Sequence, residues 1–190
     1  MDHLKDLKII ITAAGSGIGA EIAKTLVSNG SNVLVCDKDE LALERLKNDC
    51  PGITTIQADV SNESDVSRCF EEAKSQFGSL DALINNAGVS GPSAKLEDIK
   101  PKDWDETIKI NLTGTFMCSK AAIPLLKKSG GGSIINIGSS SSFMGTPLRS
   151  AYTASKWALI GLTKTWAMEY GKDKIRSNTI CPTSVSGERI

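Results

Sequence analysis

Short apolar runs alternate with longer segments of helical periodicity along the chain. The runs have the length of β-strands and are rich in Ile, Val and Leu, with little alternation of polar and apolar positions. This composition is typical of strands that are covered on both faces. The pattern predicts six strands, at residues 7–12, 32–36, 53–57, 80–85, 133–137 and 175–180.

The segments between these strands have the apolar spacing of amphipathic helices. In the first of them Ile18, Ile22 and Leu26 lie on one stripe, and Asn29-Gly30 is a helix stop signal. The pattern predicts helices at residues 18–29, 39–49, 63–77, 104–128 and 151–170. Strand–helix–strand alternation favours parallel strands joined by right-handed crossovers. We therefore expect one α/β domain over residues 1–190, a doubly wound parallel sheet between two layers of helices.

Charge and composition exclude several classes of protein. The 190 residues include 22 basic and 22 acidic side chains, and 40% of the chain is hydrophobic. This balance argues against a disordered polyelectrolyte and against binding to nucleic acid or an anionic membrane through net charge. No apolar run approaches the roughly 20 residues of a membrane span, and the N-terminus has no signal-peptide pattern. We expect no nucleic-acid partner and no membrane partner.

Cysteine and histidine usage restricts the chemistry further. The five cysteines are widely spaced without a C-x-x-C pair, and the single histidine is His3. A disulfide framework, a metal site and a histidine-based triad are therefore not expected. Reduced thiols are typical of intracellular proteins, so we expect a cytoplasmic location.

A glycine-rich turn, TAAGSGIG at residues 12–19, joins the first predicted strand to the first helix. Glycines let the backbone approach a pyrophosphate, and the start of a helix offers free N–H groups and a positive dipole end. Strand, turn and helix come in the order that this binding requires, although a plain tight turn is the alternative. The interpretation as a dinucleotide site assigns cofactor contacts to Ala13, Gly15, Ser16, Gly17, Ile18 and Gly19.

Asp37 ends the second predicted strand, 22 residues after Gly15. A carboxylate near this distance binds the hydroxyls of the adenosine ribose and repels a 2′-phosphate. The glycine turn contains no arginine, and Lys38 is the nearby cation. NAD is therefore favoured over NADP, while the alternative is that Asp37 only caps the following helix.

Tyr152 and Lys156 are four residues apart at the start of a predicted helix, so both project from one face. Only about one phenol in a thousand is ionised at neutral pH, and a neighbouring ammonium favours the phenolate. Tyr152 could thus act as a general acid and base for a carbonyl and alcohol pair, with Ser139 binding the substrate oxygen. The alternative is a half-buried tyrosine beside a solvated lysine.

Further motifs occur in a fixed order along the chain. They are Asp59-Val60 after the third strand, Asn85-Asn86-Ala87-Gly88 after the fourth, Asn111 in the long helix, and Ser139, 13 residues before Tyr152. With Thr12, Gly17 and Gly19 of the turn, they resemble the short-chain dehydrogenase/reductase family in its simple single-domain, NAD(P)-dependent form.

The resemblance implies a Rossmann-like fold with sheet order 3-2-1-4-5-6 and reversible hydride transfer between NAD(H) and a secondary alcohol or ketone. Tyr152 would exchange the proton, and Lys156 would favour the phenolate form of Tyr152 and hold the nicotinamide ribose. The backbone carbonyl of Asn111 would hold a relay water. Further cofactor contacts are implied at Asp59, Val60, Asn86, Ala87, Gly88, Tyr152, Lys156, Pro182 and Val185. A homodimer or homotetramer paired through residues 104–128 and 151–170 is also implied.

Three departures from the family pattern keep alternatives open. Ala13 replaces the first glycine of the turn, Thr183 follows Pro182 where glycine is usual, and the chain stops at Ile190, where a lid and a seventh strand are expected. We therefore expect either a C-terminally truncated piece of a longer protein or a shortened form with impaired binding. The alternative functions are an NAD-binding regulatory or interaction protein with little turnover, and an NADP-dependent carbonyl or 3-oxoacyl reductase.

Overall fold

The strands form a parallel sheet in the computed structural model, which describes residues 2–185. They are β1 (Lys8–Thr12), β2 (Asn32–Asp37), β3 (Thr54–Gln57), β4 (Ala82–Asn85), β5 (Gly132–Ile137) and β6 (Ile175–Ile180). Their order across the sheet is β3-β2-β1-β4-β5-β6, and each neighbouring pair is parallel. The predicted doubly wound α/β fold and its strand order are confirmed.

The helices occupy the crossovers between these strands. They are α1 (Gly17–Ser28), α2 (Glu40–Asp49), α3 (Glu63–Phe77), α4 (Pro101–Ile108), α5 (Gly114–Lys128) and α6 (Ser150–Tyr170), with a short 3-10 turn at Ser140–Ser142. The predicted boundaries of most elements shift by only one or two residues. Within residues 2–185, no helix combines the length and apolar composition that crossing a bilayer requires.

Two apolar clusters cover the two faces of the sheet, because successive residues of each strand point in opposite directions. On one face Ile10, Leu34 and Leu83 pack against residues of α3 and α5. On the other face Ile9 and Val33 pack against residues of α1 and α2. Burial on both sides explains why the inner strands have continuous runs of Ile, Val and Leu.

The segment that the sequence predicts as one helix at residues 104–128 differs in the structure. It begins earlier, at Pro101, and the five residues Lys109–Thr113 form a π turn between α4 and α5. A π turn holds one more residue per turn than an α-helix and often occurs at functional sites. Here it contains Asn111, whose side chain is completely buried.

Candidate active site

The glycine turn leads directly into α1, and the first N–H groups of an α-helix have no partner within the helix. Ser16 precedes α1 with an extended backbone, and among the described residues its side chain makes no capping hydrogen bond. The first N–H donated back to the turn is that of Ala20, to the Ser16 carbonyl. A Cβ atom at Gly17 would meet nothing within 4 Å, and the φ of Gly17 is +59°. The turn therefore presents free backbone donors in the way that a phosphate needs.

Gly15 and Asp37 are in direct contact. The Gly15 N–H donates to Asp37 Oδ2 at 2.9 Å, and the Asp39 N–H donates to Asp37 Oδ1 at 3.0 Å. A Cβ atom at Gly15 would lie 2.8 Å from the Cβ of Ala42, so this position requires glycine. The capping role that the alternative gave to Asp37 belongs instead to Asp39, which accepts from the Ala42 N–H at 3.1 Å.

Asn86 fastens the end of β4 to the glycine turn. Its side-chain Nδ2 donates to the carbonyls of Thr12 and Ala13, at 3.0 and 2.8 Å. The Thr12 hydroxyl in turn accepts from the backbone N–H groups of Asn86 and Ala87, each at 3.1 Å. A Cβ atom at Gly19 would lie 2.6 Å from Asn86 Nδ2, so the third glycine permits this close approach. Sequence reasoning found Asn86 but gave Thr12 no role of its own.

Ala13 occupies a left-handed backbone conformation, with φ at +50°. This conformation costs a residue with a Cβ atom roughly 1–2 kcal/mol, whereas glycine adopts it readily. The Asn86 side chain on the Ala13 carbonyl and the bond from the Ala14 N–H to the Cys36 carbonyl hold the turn in place. The alanine that replaces the family's glycine at position 13 therefore places its conformational cost on the backbone of the turn itself.

Asp59 and Val60 lie in the loop that follows β3. The Asp59 N–H donates to Asp65 Oδ2 at 3.0 Å, and this bond, together with Arg68, lowers the pKa of Asp65. Val60 is buried against the start of α5, where a Cβ atom at Gly114 would lie 2.9 Å from Val60 Cγ2. These contacts fix the loop against α3 and the start of α5.

Lys156 is a buried lysine, with 4% of its surface exposed. Its ammonium donates to the Ile137 carbonyl at 2.7 Å and lies 5.7 Å from the centre of the Tyr152 ring. A Cβ atom at Gly88 would lie 3.3 Å from Lys156 Nζ, so glycine leaves room for the ammonium. The alternative of a solvated lysine is wrong. The structure brings Lys156, Tyr152 and the end of β4 together, as the resemblance implies.

A buried hydrogen-bond chain joins Asn111 to the helix that carries Tyr152. Asn111 Nδ2 donates to Ser155 Oγ at 3.0 Å, and the Ser155 hydroxyl donates to the Tyr152 carbonyl at 2.7 Å. The Asn111 side chain also exchanges two hydrogen bonds with the backbone of Val89, at 2.8 and 2.9 Å. The Asn111 carbonyl accepts from the Thr115 hydroxyl at 2.9 Å. Sequence reasoning missed Ser155, although it directly precedes Lys156.

Ser139 precedes the 3-10 turn that follows β5. Its Oγ accepts from the Ser141 N–H at 3.2 Å, and its own N–H donates to Ser142 Oγ at 3.2 Å. The turn packs against α6, the helix that carries Tyr152. Because Ser139 Oγ already accepts a hydrogen bond, its O–H is the group left to donate to a substrate oxygen.

The loop after β6 lies against the same turn. The Ser140 N–H donates to the Pro182 carbonyl at 3.0 Å, and the Gly138 N–H donates to the Ile180 carbonyl at 2.7 Å. Pro182 is therefore close to Ser139, and its cofactor contact stays a prediction. Val185, the last residue described, is 40% exposed, and its proposed cofactor contact stays a prediction.

The residues present fit a dinucleotide. The turn has glycine wherever a side chain would collide, open space before the helix start, and a fixed carboxylate at Asp37 on its β2 side. At its other side Gly88 borders the ammonium of Lys156, close to the Tyr152 ring. The carboxyl ends of parallel strands on the two sides of a reversal in strand order are where such ligands bind.

Comparison with known proteins supports this interpretation. The family described as short chain dehydrogenase matches residues 7–189. An uncharacterized oxidoreductase of Thermotoga maritima is 36% identical over 186 residues, covering 96% of this chain and 73% of that protein. The 2-(S)-hydroxypropyl-CoM dehydrogenase 3 of Xanthobacter autotrophicus is 34% identical over 189 residues, covering 97% and 74%. The crystal structure of a 3-ketoacyl-(acyl-carrier-protein) reductase from Brucella melitensis complexed with NADH superposes with a TM-score of 0.91 at 31% identity, covering 95% and 76%.

Proposed function

The chain belongs to the short-chain dehydrogenase family, and we propose that it transfers a hydride between NAD(H) and the carbon of a secondary alcohol or ketone. It is an oxidoreductase of a family that uses a nicotinamide cofactor. The observation that carries the proposal is the buried ammonium of Lys156, 5.7 Å from the Tyr152 ring and bordered by Gly88. A protein that only binds a dinucleotide has no need of a desolvated cation beside a phenol.

In this mechanism Tyr152 is the general acid and base. The cofactor supplies or accepts the hydride at its nicotinamide ring when it is bound. Tyr152 gives its proton to the carbonyl oxygen during reduction and takes it back during oxidation, and the nearby Lys156 ammonium stabilises the phenolate. Ser139 donates its O–H to the same oxygen and holds it beside the phenol.

Asn111 and Ser155 hold the backbone of Tyr152 in place. They tie the backbone of Tyr152 to the π turn through two buried hydrogen bonds of 3.0 and 2.7 Å. In this mechanism the Asn111 carbonyl, which also accepts from the Thr115 hydroxyl, binds a water that returns protons to the site. The mechanism is tested by NADH oxidation with a panel of cyclic and linear ketones, beside the Tyr152 variant discussed below. A 3-oxoacyl thioester belongs in the panel because the Brucella neighbour is named a 3-ketoacyl reductase.

We propose NAD as the cofactor because Asp37 is fixed at the adenosine end of the glycine turn. NADH should bind at least about tenfold more tightly than NADPH, a difference of about 1.4 kcal/mol. Asp37→Asn should narrow this gap, since it removes the charge that repels a 2′-phosphate but keeps an oxygen for the Gly15 N–H. Fluorescence titration with both cofactors measures the ratio.

The matched control is Asp39→Ser, which removes a carboxylate two residues away and preserves a helix cap. The ratio of its NADH affinity to its NADPH affinity should stay within about twofold of that of the unmodified protein. Equal affinity of the unmodified protein for NADH and NADPH would contradict the assignment.

We also propose that the chain pairs with a second copy through α5 and α6. An open apolar groove lies between these helices and is lined by Leu112, Thr113, Phe116, Ala158, Gly161 and Leu162. Phe116 is 47% exposed there, and the neighbouring Trp157 on α6 is 50% exposed. Contiguous exposed apolar surface of this kind marks association sites.

Gly161→Glu should shift the protein from oligomer to monomer. A Cβ atom at Gly161 meets nothing within 4 Å, and glutamate is a better helix former, so the fold of one copy is preserved. Light scattering after size-exclusion chromatography measures the mass. Leu96→Glu, at a 74% exposed site outside the groove, is the control. An unmodified protein that is monomeric at micromolar concentration would refute the pairing.

The cytoplasmic location belongs to the same proposal. All five cysteines lie within the described residues and are free thiols, and four of them are buried. This supports a reducing compartment.

A further inference from the structure

A row of polar side chains crosses three strands beneath α6. Asn85 of β4 is the register partner of Asn136 of β5, which in turn is the partner of Thr179 of β6. Register partners in neighbouring strands point to the same face of a sheet, here the face that α5 and α6 cover. Asn85 is 3% exposed and Asn136 is fully buried, in strands otherwise rich in Ile and Leu.

Hydrogen bonds connect this row to both helices. Asn85 Nδ2 donates to Asn136 Oδ1 at 2.9 Å and to Ser119 Oγ of α5 at 3.0 Å. Asn136 Nδ2 donates to Thr163 Oγ1 of α6 at 2.9 Å, and the hydroxyls of Thr163 and Thr179 are 2.6 Å apart. Since Thr163 accepts from Asn136, its own O–H is free to donate to Thr179.

The row gives α6 a second attachment to β5. Lys156 donates to the carbonyl of Ile137, the residue directly after Asn136. Thr163 follows Lys156 by seven residues, which is about two helical turns, so both side chains leave the same face of α6. The bonds of Ser155 and Lys156 attach α6 near its start, and the bond of Thr163, about 10 Å further along the helix, fixes its direction.

The chemistry of the row argues against a role in stability alone. A buried amide side chain needs hydrogen-bond partners for all its polar atoms, whereas an Ile or Leu side chain at the same place would need none. Among the described residues Asn85 Oδ1 is buried without a hydrogen-bond partner, so the row is not fully satisfied. The specific effect of the row is to hold α6 at Thr163, at a distance from Tyr152.

We propose that Asn136 and Thr163 are positioning residues that set how α6 lies on the sheet, and so where Tyr152 stands relative to Ser139. The inference rests on the proposed function of Tyr152 and Ser139. Without the bond at Thr163, α6 turns about its two neighbouring attachments at Ser155 and Lys156. Tyr152, beyond these attachments, moves away from the substrate oxygen, while Lys156 keeps its place.

Thr163→Val tests this, because valine keeps the shape of threonine and removes the hydroxyl. We expect kcat to fall at least about tenfold, since a displacement of about 1 Å can cost up to a hundredfold. NADH affinity should change by less than about twofold, because Lys156 stays bound to Ile137. Thr163→Ser restores the hydroxyl and should return kcat to within about twofold of the unmodified enzyme.

Thr107→Val is the matched control, since Thr107 is also buried and its hydroxyl donates within α4, to the Asp103 carbonyl. A merely structural loss would lower the unfolding temperature in both valine variants and leave kcat alone. An unchanged kcat in Thr163→Val, a failure of Thr163→Ser to restore it, or an equal fall in Thr107→Val overturns the inference.

A crystal structure of Thr163→Val keeps the test independent of turnover. We expect the Tyr152 hydroxyl to move by about 1 Å or more relative to Ser139, with the Lys156 bond to Ile137 intact. An unmodified enzyme inactive on every ketone refutes the proposed function, and the crystal structures then decide the inference alone. A Tyr152 that has not moved refutes the inference even where the enzyme is active.

Discussion

Tyr152→Phe should lower kcat by at least about a hundredfold, the low end of what general acid–base catalysis contributes. Phenylalanine keeps the ring beside the Lys156 ammonium and removes only the hydroxyl that exchanges the proton. Because no other part of the ring changes, NADH affinity should stay within about twofold. Steady-state kinetics with the best ketone of the panel and fluorescence titration with NADH measure the two effects.

Tyr170→Phe is the natural control, because the chain has two tyrosines and Tyr170 packs against the core below Lys127. This variant should keep full turnover. A Tyr152→Phe enzyme with unchanged kcat would remove Tyr152 from the mechanism, and another proton donor would have to be sought.

Lys156→Met should damage cofactor binding and turnover together. Methionine fills much of the buried space of the lysine side chain but carries no charge. Both the hydrogen bond to the nicotinamide ribose and the stabilisation of the phenolate are therefore lost. A hydrogen bond from a charged group contributes roughly 1.5–3 kcal/mol, so NADH should bind about ten- to a hundredfold more weakly. Turnover should fall at least about a hundredfold even at saturating NADH.

Lys164→Met is the control for Lys156, since it removes an exposed ammonium two turns along the same helix. Cofactor titration, kinetics and thermal unfolding should all leave this variant close to the unmodified protein. If Lys156→Met weakened stability alone, the buried ammonium would be a structural group and the proposed role in catalysis would be wrong.

The sequence predicted the fold well because the inner strands are buried on both faces. Runs such as KIIIT in β1 and NVLVCD in β2 have few alternative explanations, and glycine and asparagine mark the helix ends clearly. The glycine turn, Asp37, Asn86 and Ser139 come together because each follows a strand and the carboxyl ends of parallel strands meet at one edge. The helix α6 then places Tyr152 and Lys156 beside that edge.

Other features depend on contacts that a single sequence does not display. Burial of Lys156 follows from the Ile137 carbonyl and the space at Gly88, both distant in the chain. Thr163 was missed and Thr12 was given no role of its own, because a hydroxyl serves equally well in turns, caps and solvent-facing positions. The left-handed backbone of Ala13 contradicts the usual preference of alanine, so only the tertiary structure reveals it.

The π turn at Lys109–Thr113 makes the long α4–α5 segment sensitive to length rather than to composition. A turn of this kind accommodates one residue more than the α-helix, and each residue of an α-helix advances the chain by about 100° around its axis. If the same residues formed a regular α-helix, α5 would be turned by about that angle relative to α4. The buried side of α5, with Cys118 and Leu126, would then no longer face the sheet. Among homologous chains, changes of length in this stretch other than loss of the single extra residue should therefore be rare, even where its side chains vary freely.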